Sequence, residues 1–193
     1  MVTPQEYLLE VAKRSDLYAR IKEEFLHGIN GFKPWHESIC RRVALLRGVK
    51  EEVFWEAAKQ LRVRPGAVKL TKLLKARGWH VFIVTGGFTI LEHTIKAAGI
   101  TCDGFIAHEL IFRNGVLDGC TLTYRDKGEV AKKLKETLDP QVTVAVGDGY
   151  NDIPMLKEAD LAIGFRPKEI VRHYIDAEVR TFKQIWRILH LLS

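Results

Sequence analysis

From Glu6 to about Leu61, apolar residues recur at three-to-four spacing, as in Tyr7, Leu8, Val11 and Ala12 and again in Ile39, Val43 and Leu46. That period aligns one face of an α-helix. Breaks at Gly28 to Pro34 and at Arg47-Gly48 divide the stretch into three or four helices, and no strand pattern interrupts it. Past Pro65-Gly66 helical stretches alternate with short β-branched runs bounded by glycine, which is the texture of an α/β chain. Ala67 to Arg77 predicts an amphipathic helix stopped by Gly78, and Val81 to Val84 a buried strand running into Thr85-Gly86-Gly87. Leu91 to Ala98 predicts another helix, closed by Gly99. Phe105-Ile106-Ala107 and Leu110-Ile111-Phe112 flank expected short turns, and Arg113-Asn114-Gly115-Val116 predicts a hairpin bend. Lys127 to Thr137 reads as helix and Val142 to Val146 as a second buried strand, which ends at Gly147-Asp148-Gly149. Phe182, Ile185, Trp186 and Leu189 give a closing helix its apolar face.

Composition narrows this picture. With 193 residues, 47% of them hydrophobic, the chain can fill a real core, so disorder is excluded as its main description. Thirty Lys and Arg against 24 Asp and Glu leave a formal charge of +6, interleaved along the sequence. That describes a solvated surface and no nucleic-acid stripe. Cys40, Cys102 and Cys120 are scattered without C-x-x-C spacing, which argues against a disulfide framework or a zinc site and for a reducing, cytoplasmic address. No apolar run is long enough to span a bilayer, and Glu6, Glu10, Lys13 and Arg14 stand where a signal peptide would be apolar.

Chemistry concentrates at strand ends. A buried strand runs into Gly147-Asp148-Gly149-Tyr150-Asn151-Asp152, which crowds two carboxylates and an amide where an open parallel sheet binds its ligands. Hard oxygen donors on a tight glycine turn suit Mg²⁺, which takes one or two carboxylates and keeps water or phosphate in its other positions. The plainer alternative is a turn whose Asp148 and Asn151 cap the helix through Pro154. Thr85-Gly86-Gly87-Phe88 offers a hydroxyl and unshielded backbone N–H groups to an anion. Lys127, ahead of Gly128-Glu129 at a helix start, is a third candidate, against the alternative of an ordinary solvated lysine.

Taken together, Val84-Thr85-Gly86-Gly87-Phe88, Asp126-Lys127-Gly128-Glu129 and Gly147 to Asp152 resemble, in order and spacing, the second, third and fourth motifs of the haloacid-dehalogenase phosphohydrolases, and most closely the phosphoserine phosphatase branch. The resemblance implies a Rossmann-like α/β core with a parallel sheet, residues 64–193, under a small helical cap, residues 1–63. It implies phosphomonoester hydrolysis in which Asp148 and Asp152 serve a Mg²⁺ site. Thr85 would bond a phosphoryl oxygen, Gly86 and Asn151 would face the phosphate, and Lys127 would balance its charge. In the cap, Arg42 falls at an arginine that grips a substrate carboxylate, Glu6 at a glutamate near the substrate amine, and Trp35 could cover the aliphatic part. For Arg42 the alternative is a surface pair with Glu23, Glu24 or Glu37, and for Glu6 an ordinary exposed helix residue.

The family's first motif, D-x-D-x-T, supplies the attacking aspartate and the general acid and base. It is not in this sequence, whose nine aspartates include no pair two apart. Met1-Val2-Thr3-Pro4 looks like the continuation of that motif, and the strand that would carry it belongs between those of Val81 to Val84 and Val142 to Val146. The expectation is therefore a phosphatase of this type with little turnover and weak Mg²⁺ binding in the 193 residues themselves, with a gap of roughly 10 Å left at the missing strand; either the natural product starts upstream, or the sheet closes up or borrows a strand, or the fold is strained. The competing expectation is an inactive relative that binds a phosphorylated metabolite or a protein partner. Expected partners are a small phosphorylated metabolite, phosphoserine foremost, and a homodimer is left open; neither nucleic acid nor membrane is among them.

Overall fold

The helical period of the first third is realised as α1 (Tyr7–Ala12), α2 (Tyr18–Ile29), α3 (Trp35–Leu45) and α4 (Glu51–Gln60). The computed structural model describes residues 2–3, 6–13 and 17–192. Met1, Pro4, Arg14 and Asp16, which entered the sequence argument, lie outside the described residues. Leu8, Ile21, Ile39 and Phe54 turn inward from the four helices into one apolar cluster. Helices α2 and α3 meet closely because Gly28 has no side chain: a Cβ there would stand 2.6 Å from Ser38 Oγ, which donates to the Glu24 carbonyl at 2.6 Å.

The remainder alternates strand and helix: α5 (Ala67–Ala76), β1 (Phe82–Phe88), α6 (Leu91–Ala97), β2 (Gly104–Arg113), β3 (Val116–Thr121), α7 (Lys127–Leu138), β4 (Val144–Gly147), α8 (Ile153–Glu158), β5 (Leu161–Phe165), β6 (Ala177–Val179) and α9 (Phe182–Leu189). The fold is mixed α/β with parallel pairing of β1 with β2, β4 with β5 and β5 with β6. Asn114 and Gly115, both at positive φ, turn β2 back into antiparallel β3, as an Asn-Gly hairpin requires.

Two expectations change. No turn separates Ala107 from Leu110, because one strand runs from Gly104 to Arg113 and takes β1 as partner over its first half and β3 over its second. His108, a polar residue within this strand, is buried, its Nδ1 accepting the Thr123 N–H at 3.2 Å. Second, the outer part of the hairpin leaves the sheet region and packs Leu110, Phe112 and Leu117 onto the helical cluster, so the first third does not complete its core alone.

The parallel sheet is split at the gap that the sequence predicts. Strands β1-β2-β3 form one sheet and β4-β5-β6 another, and a cavity of about 650 Å³ opens between β1 and β4. Helices α5 and α9 lie together on one side of this division and α7 and α8 on the other.

Gly28→Ala tests the α2–α3 contact. Alanine gains about 1 kcal/mol of helix propensity, but forcing a methyl group into a packed crossing typically costs about 1–3 kcal/mol. The variant is expected to be less stable by about 1 kcal/mol in chemical denaturation, although the same change stabilises an exposed helix.

Candidate active site

The C-terminal ends of β1 and β4 bring the singled-out core residues together. Asp126 opens α7 by accepting the N–H groups of Gly128 at 2.7 Å and Glu129 at 3.2 Å, and this cap fixes where Lys127 leaves the helix. Lys127 is buried, and its Nζ reaches Asp152 Oδ1 at 2.6 Å. The other oxygen of Asp152 accepts the N–H groups of Asp148 at 2.8 Å and Gly149 at 3.0 Å, and thereby folds the turn back over β4. Burial pushes the Asp152 carboxyl up, but the Lys127 ammonium and the two N–H groups outweigh it and hold the group below its ordinary value. Gly147 admits nothing larger, because a Cβ would meet Asp152 Cβ at 2.5 Å.

It is Asp152, then, that closes the turn, where the sequence offered Asp148 and Asn151 as capping groups. Asn151 lies in the short 3₁₀ turn Tyr150–Asp152. Among the described residues no group of three His, Cys, Asp or Glu side chains is arranged to hold a metal ion.

Across the cavity, Thr85 Oγ1 accepts the Gly87 N–H at 3.1 Å, and the Thr85 carbonyl accepts the Tyr124 hydroxyl. His108 lies against Tyr124 with ring centroids 4.4 Å apart, and so supports this turn from behind. Gly86 touches α3: a methyl group there would collide with the Trp35 indole nitrogen.

Arg42 is entirely buried, which excludes a surface pair. Its Nη1 donates to Glu6 Oε1 at 2.7 Å and its Nε to the Ser38 carbonyl at 3.3 Å, and its guanidinium lies over the rings of Trp35 and Phe25. Glu6 is no ordinary exposed residue either, since its second oxygen caps α1 by accepting the Leu9 N–H at 2.8 Å. Two donors in this group, Arg42 Nη2 and Trp35 Nε1, are buried without a hydrogen-bond partner. A buried donor without an acceptor is costly unless a ligand supplies one.

Several contributors were not anticipated. Lys168 donates its backbone N–H to the Asp148 carbonyl at 3.0 Å and its Nζ to the Ile29 carbonyl at 3.5 Å, tying the β4 turn to the α2 end. Burial lowers its pKa while the Asp148 carboxylate acts to raise it. The apolar run of Leu161 to Phe165, followed by Arg166-Pro167-Lys168, was the signal available for it. Gly31, at positive φ, lies against the Tyr150 ring and makes a second contact across the site.

The sequence pattern of the haloacid dehalogenase-like hydrolases matches residues 6–160. The chain is similar to the phosphoserine phosphatase of Methanocaldococcus jannaschii, at 33% identity over 95% of this chain and 90% of the relative, and to that of Albidiferax ferrireducens, at 35% over 84% and 72%. Among solved structures it resembles a substrate-bound phosphoserine phosphatase complex at 30% identity, TM-score 0.91, covering 97% of this chain and 93% of the other. It also resembles a phospho-aspartyl intermediate analogue of phosphoserine phosphatase, at 30% identity, TM-score 0.88 and the same coverage. No helix among the described residues is long and apolar enough to cross a membrane.

His108 carries a measurable consequence. Burial, and then repulsion from Lys127, depress its pKa from 6.5 to about 4. Between those values the unfolded chain binds more protons than the folded one, so stability falls as pH drops through that window. At pH 5 this one group is expected to remove about 2 kcal/mol relative to pH 7. His108→Gln should flatten the pH 5–7 dependence of unfolding free energy, whatever it does to absolute stability.

Proposed function

Because the chain belongs to the haloacid dehalogenase-like hydrolase family, we propose that its site is built to hydrolyse a small phosphomonoester bearing a carboxylate, with phosphoserine as the substrate that fits it. The observation that carries this is the buried Arg42, paired to Glu6 on one side and holding Nη2 without an acceptor on the other. A guanidinium fork of this kind matches a carboxylate. Glu6 beside it suits the ammonium group of an amino acid, and Trp35 lies between this cluster and Gly86.

In this reading residues 1–63 act as a cap over a core of residues 64–193, with the β2–β3 hairpin lending its tip to the cap. The phosphate lies against Thr85, Gly86 and Asn151, and Lys127 offsets the charge of its oxygens. The cap keeps bulk water from the reacting centre.

Mg²⁺ is the cofactor of this proposal, and Asp148 and Asp152 are its candidate ligands, yet the two do not present a ready shell. Both oxygens of Asp152 are engaged by Lys127 and backbone N–H groups. Mg²⁺ gives up its water reluctantly, so too few fixed oxygens leave it weakly held. Calorimetry of the 193-residue chain is expected to show no tight, stoichiometric Mg²⁺ binding; a stoichiometric isotherm would overturn this.

The attacking carboxylate is the missing element. No D-x-D-x-T stands in the 193 residues, and no described side chain replaces it, so these residues alone are expected to turn over phosphoserine no faster than background. Extending the chain at its N-terminus with a strand ending in D-x-D-x-T should raise both melting temperature and turnover. A competing inactive phosphometabolite binder would keep ligand binding and gain no turnover from that extension.

In the extended form, Arg42→Ala should raise KM for phosphoserine by on the order of 10- to 100-fold and leave phosphate esters without a carboxylate nearly unchanged. Equal losses on both ester types would remove the case for an amino-acid phosphate.

A further inference from the structure

The three cysteines stand apart in the sequence, and the fold brings two of them together. Cys40 is exposed on α3 and Cys120 is half-buried on β3. The segment that leaves α3 is laced to this strand: Gly48 donates its N–H to the Leu117 carbonyl at 2.8 Å, Leu117 donates its own to the Val49 carbonyl at 2.8 Å, and Arg47 pairs with Asp118. From that lacing the helix runs back along the strand. Cys40 lies two helical turns before Arg47 and Cys120 three residues beyond Leu117, displacements of about 10 Å each.

The strand also turns the right face. Its ladder pairs Ile111 with Gly119 and Phe112 with Leu117, so Asp118 is an extra residue in β3. Residues three apart on a regular strand face opposite ways, but one extra residue brings Leu117 and Cys120 to the same side. Both pack on the helical cluster that includes Ile39 and Val43 of α3. There the Cys40 and Cys120 thiols hydrogen-bond to each other. Cys102 is the contrast, since it packs on the other apolar cluster, with Leu70 of α5 and Ile185 of α9.

We propose that Cys40 and Cys120 are a redox modification site, which a low-molecular-weight disulfide, RSSR, converts into an internal disulfide bridging α3 and β3. The exposed residue reacts first: Cys40 Sγ, as the thiolate, attacks one sulfur of RSSR, the S–S bond breaks, and RS⁻ leaves and takes up a proton. Cys120 Sγ then gives up its proton and attacks Cys40 Sγ, and the second RS⁻ leaves and becomes RSH. The two cysteines lose two electrons and two protons, and RSSR is reduced to two RSH. Burial first, and then the neighbouring Cys40, push the Cys120 thiol up to about 12, which keeps it from reacting ahead of Cys40. Formation of the mixed disulfide removes the Cys40 share of that effect when Cys120 has to attack. The finished bond fastens the helix that carries Trp35 and Arg42 to the hairpin. This goes beyond the hydrolase function and does not rest on it, because neither sulfur acts on a phosphate ester.

The probe is oxidised glutathione, added in excess to the reduced, folded 193-residue chain. Mass spectrometry is expected to show a chain lighter by two hydrogen atoms, and peptide mapping a Cys40–Cys120 link with Cys102 still a thiol. Closing so long a loop should raise the melting temperature by roughly 5–10 °C. In Cys120→Ser the reaction should stop at one glutathione on Cys40, an adduct that lasts at least about ten times longer than in the parent chain. Cys40→Ser, a change at an exposed position, should leave Cys120 a thiol over the same time. Parent-chain mapping and Cys40→Ser carry the test should Cys120→Ser not fold. The proposal is overturned by no reaction of the parent chain, by a glutathione adduct that persists on its Cys40, or by a link that involves Cys102 or a second chain. A Cys40–Cys120 link that forms only in denaturant or lowers the melting temperature overturns it too, as does equally fast modification of Cys120 in Cys40→Ser. Phosphatase activity is not a readout, so failure of the hydrolase function leaves this result intact.

Discussion

The buried ion pair of Lys127 and Asp152 is the constraint on which the site depends. Two charges cannot lie in a protein interior unless their remaining hydrogen-bonding capacity is met, and half a pair would be worse than none. Asp152 meets this by holding Lys127 on one oxygen and the turn after β4 on the other. One carboxylate therefore sets the position of α7, the path of Gly147 to Gly149 and the direction in which Asp148 leaves the strand. The close packing at Gly147 follows from the same carboxylate, and so does the short distance at which Gly128 packs against Pro154 of α8. Removing either partner would strand a charge among these contacts.

Much of this was legible in the sequence because local rules and the tertiary fold agree. The helices of the first third, the strand end at Gly147 and the Asn114-Gly115 bend come from periodicity, glycine and turn chemistry that tertiary packing does not override, whereas β1 does not stop at Val84 but runs through Thr85-Gly86-Gly87 to Phe88 with an irregular register. Short runs fared worse. Leu161 to Phe165 and Ala177 to Val179 are strands only because a neighbour pairs with them, and runs of five or three residues carry no period of their own. The continuity of β2 through His108 depends on a distant amide, that of Thr123, which the local sequence does not show.

At the site, sequence could place residue types at strand ends but not the partners they choose. Asp152 was expected as a metal-side carboxylate and is found holding Lys127 and its own turn. Arg42 could have been a surface residue by any local criterion, and only the packing of Phe25 and Trp35 over its guanidinium shows otherwise. Lys168 is harder to find because its relation to Asp148 passes through β5, whose run of five residues is the one local signal for it.

The split sheet and the helical half bear on each other. The helical cluster takes Phe88 from the end of β1, Ile90 from just beyond it and Leu117 from the hairpin, so the first sheet is anchored to the helices through its own strands. The second sheet reaches the helical half by smaller contacts, Lys168 on the Ile29 carbonyl and Tyr150 on Gly31. Residues contributed by both sides, Thr85 and Gly86 from the first sheet and Lys127, Asp148 and Asp152 from beside the second, have to converge within one site. Their spacing is set by the width of the cleft between β1 and β4, because no strand among the described residues spans it directly. Whatever occupies that cleft thus governs the geometry of the residues at Thr85-Gly86 and Gly147-Asp148, since a strand hydrogen-bonded to both edges would fix their separation at two strand spacings, about 9.6 Å.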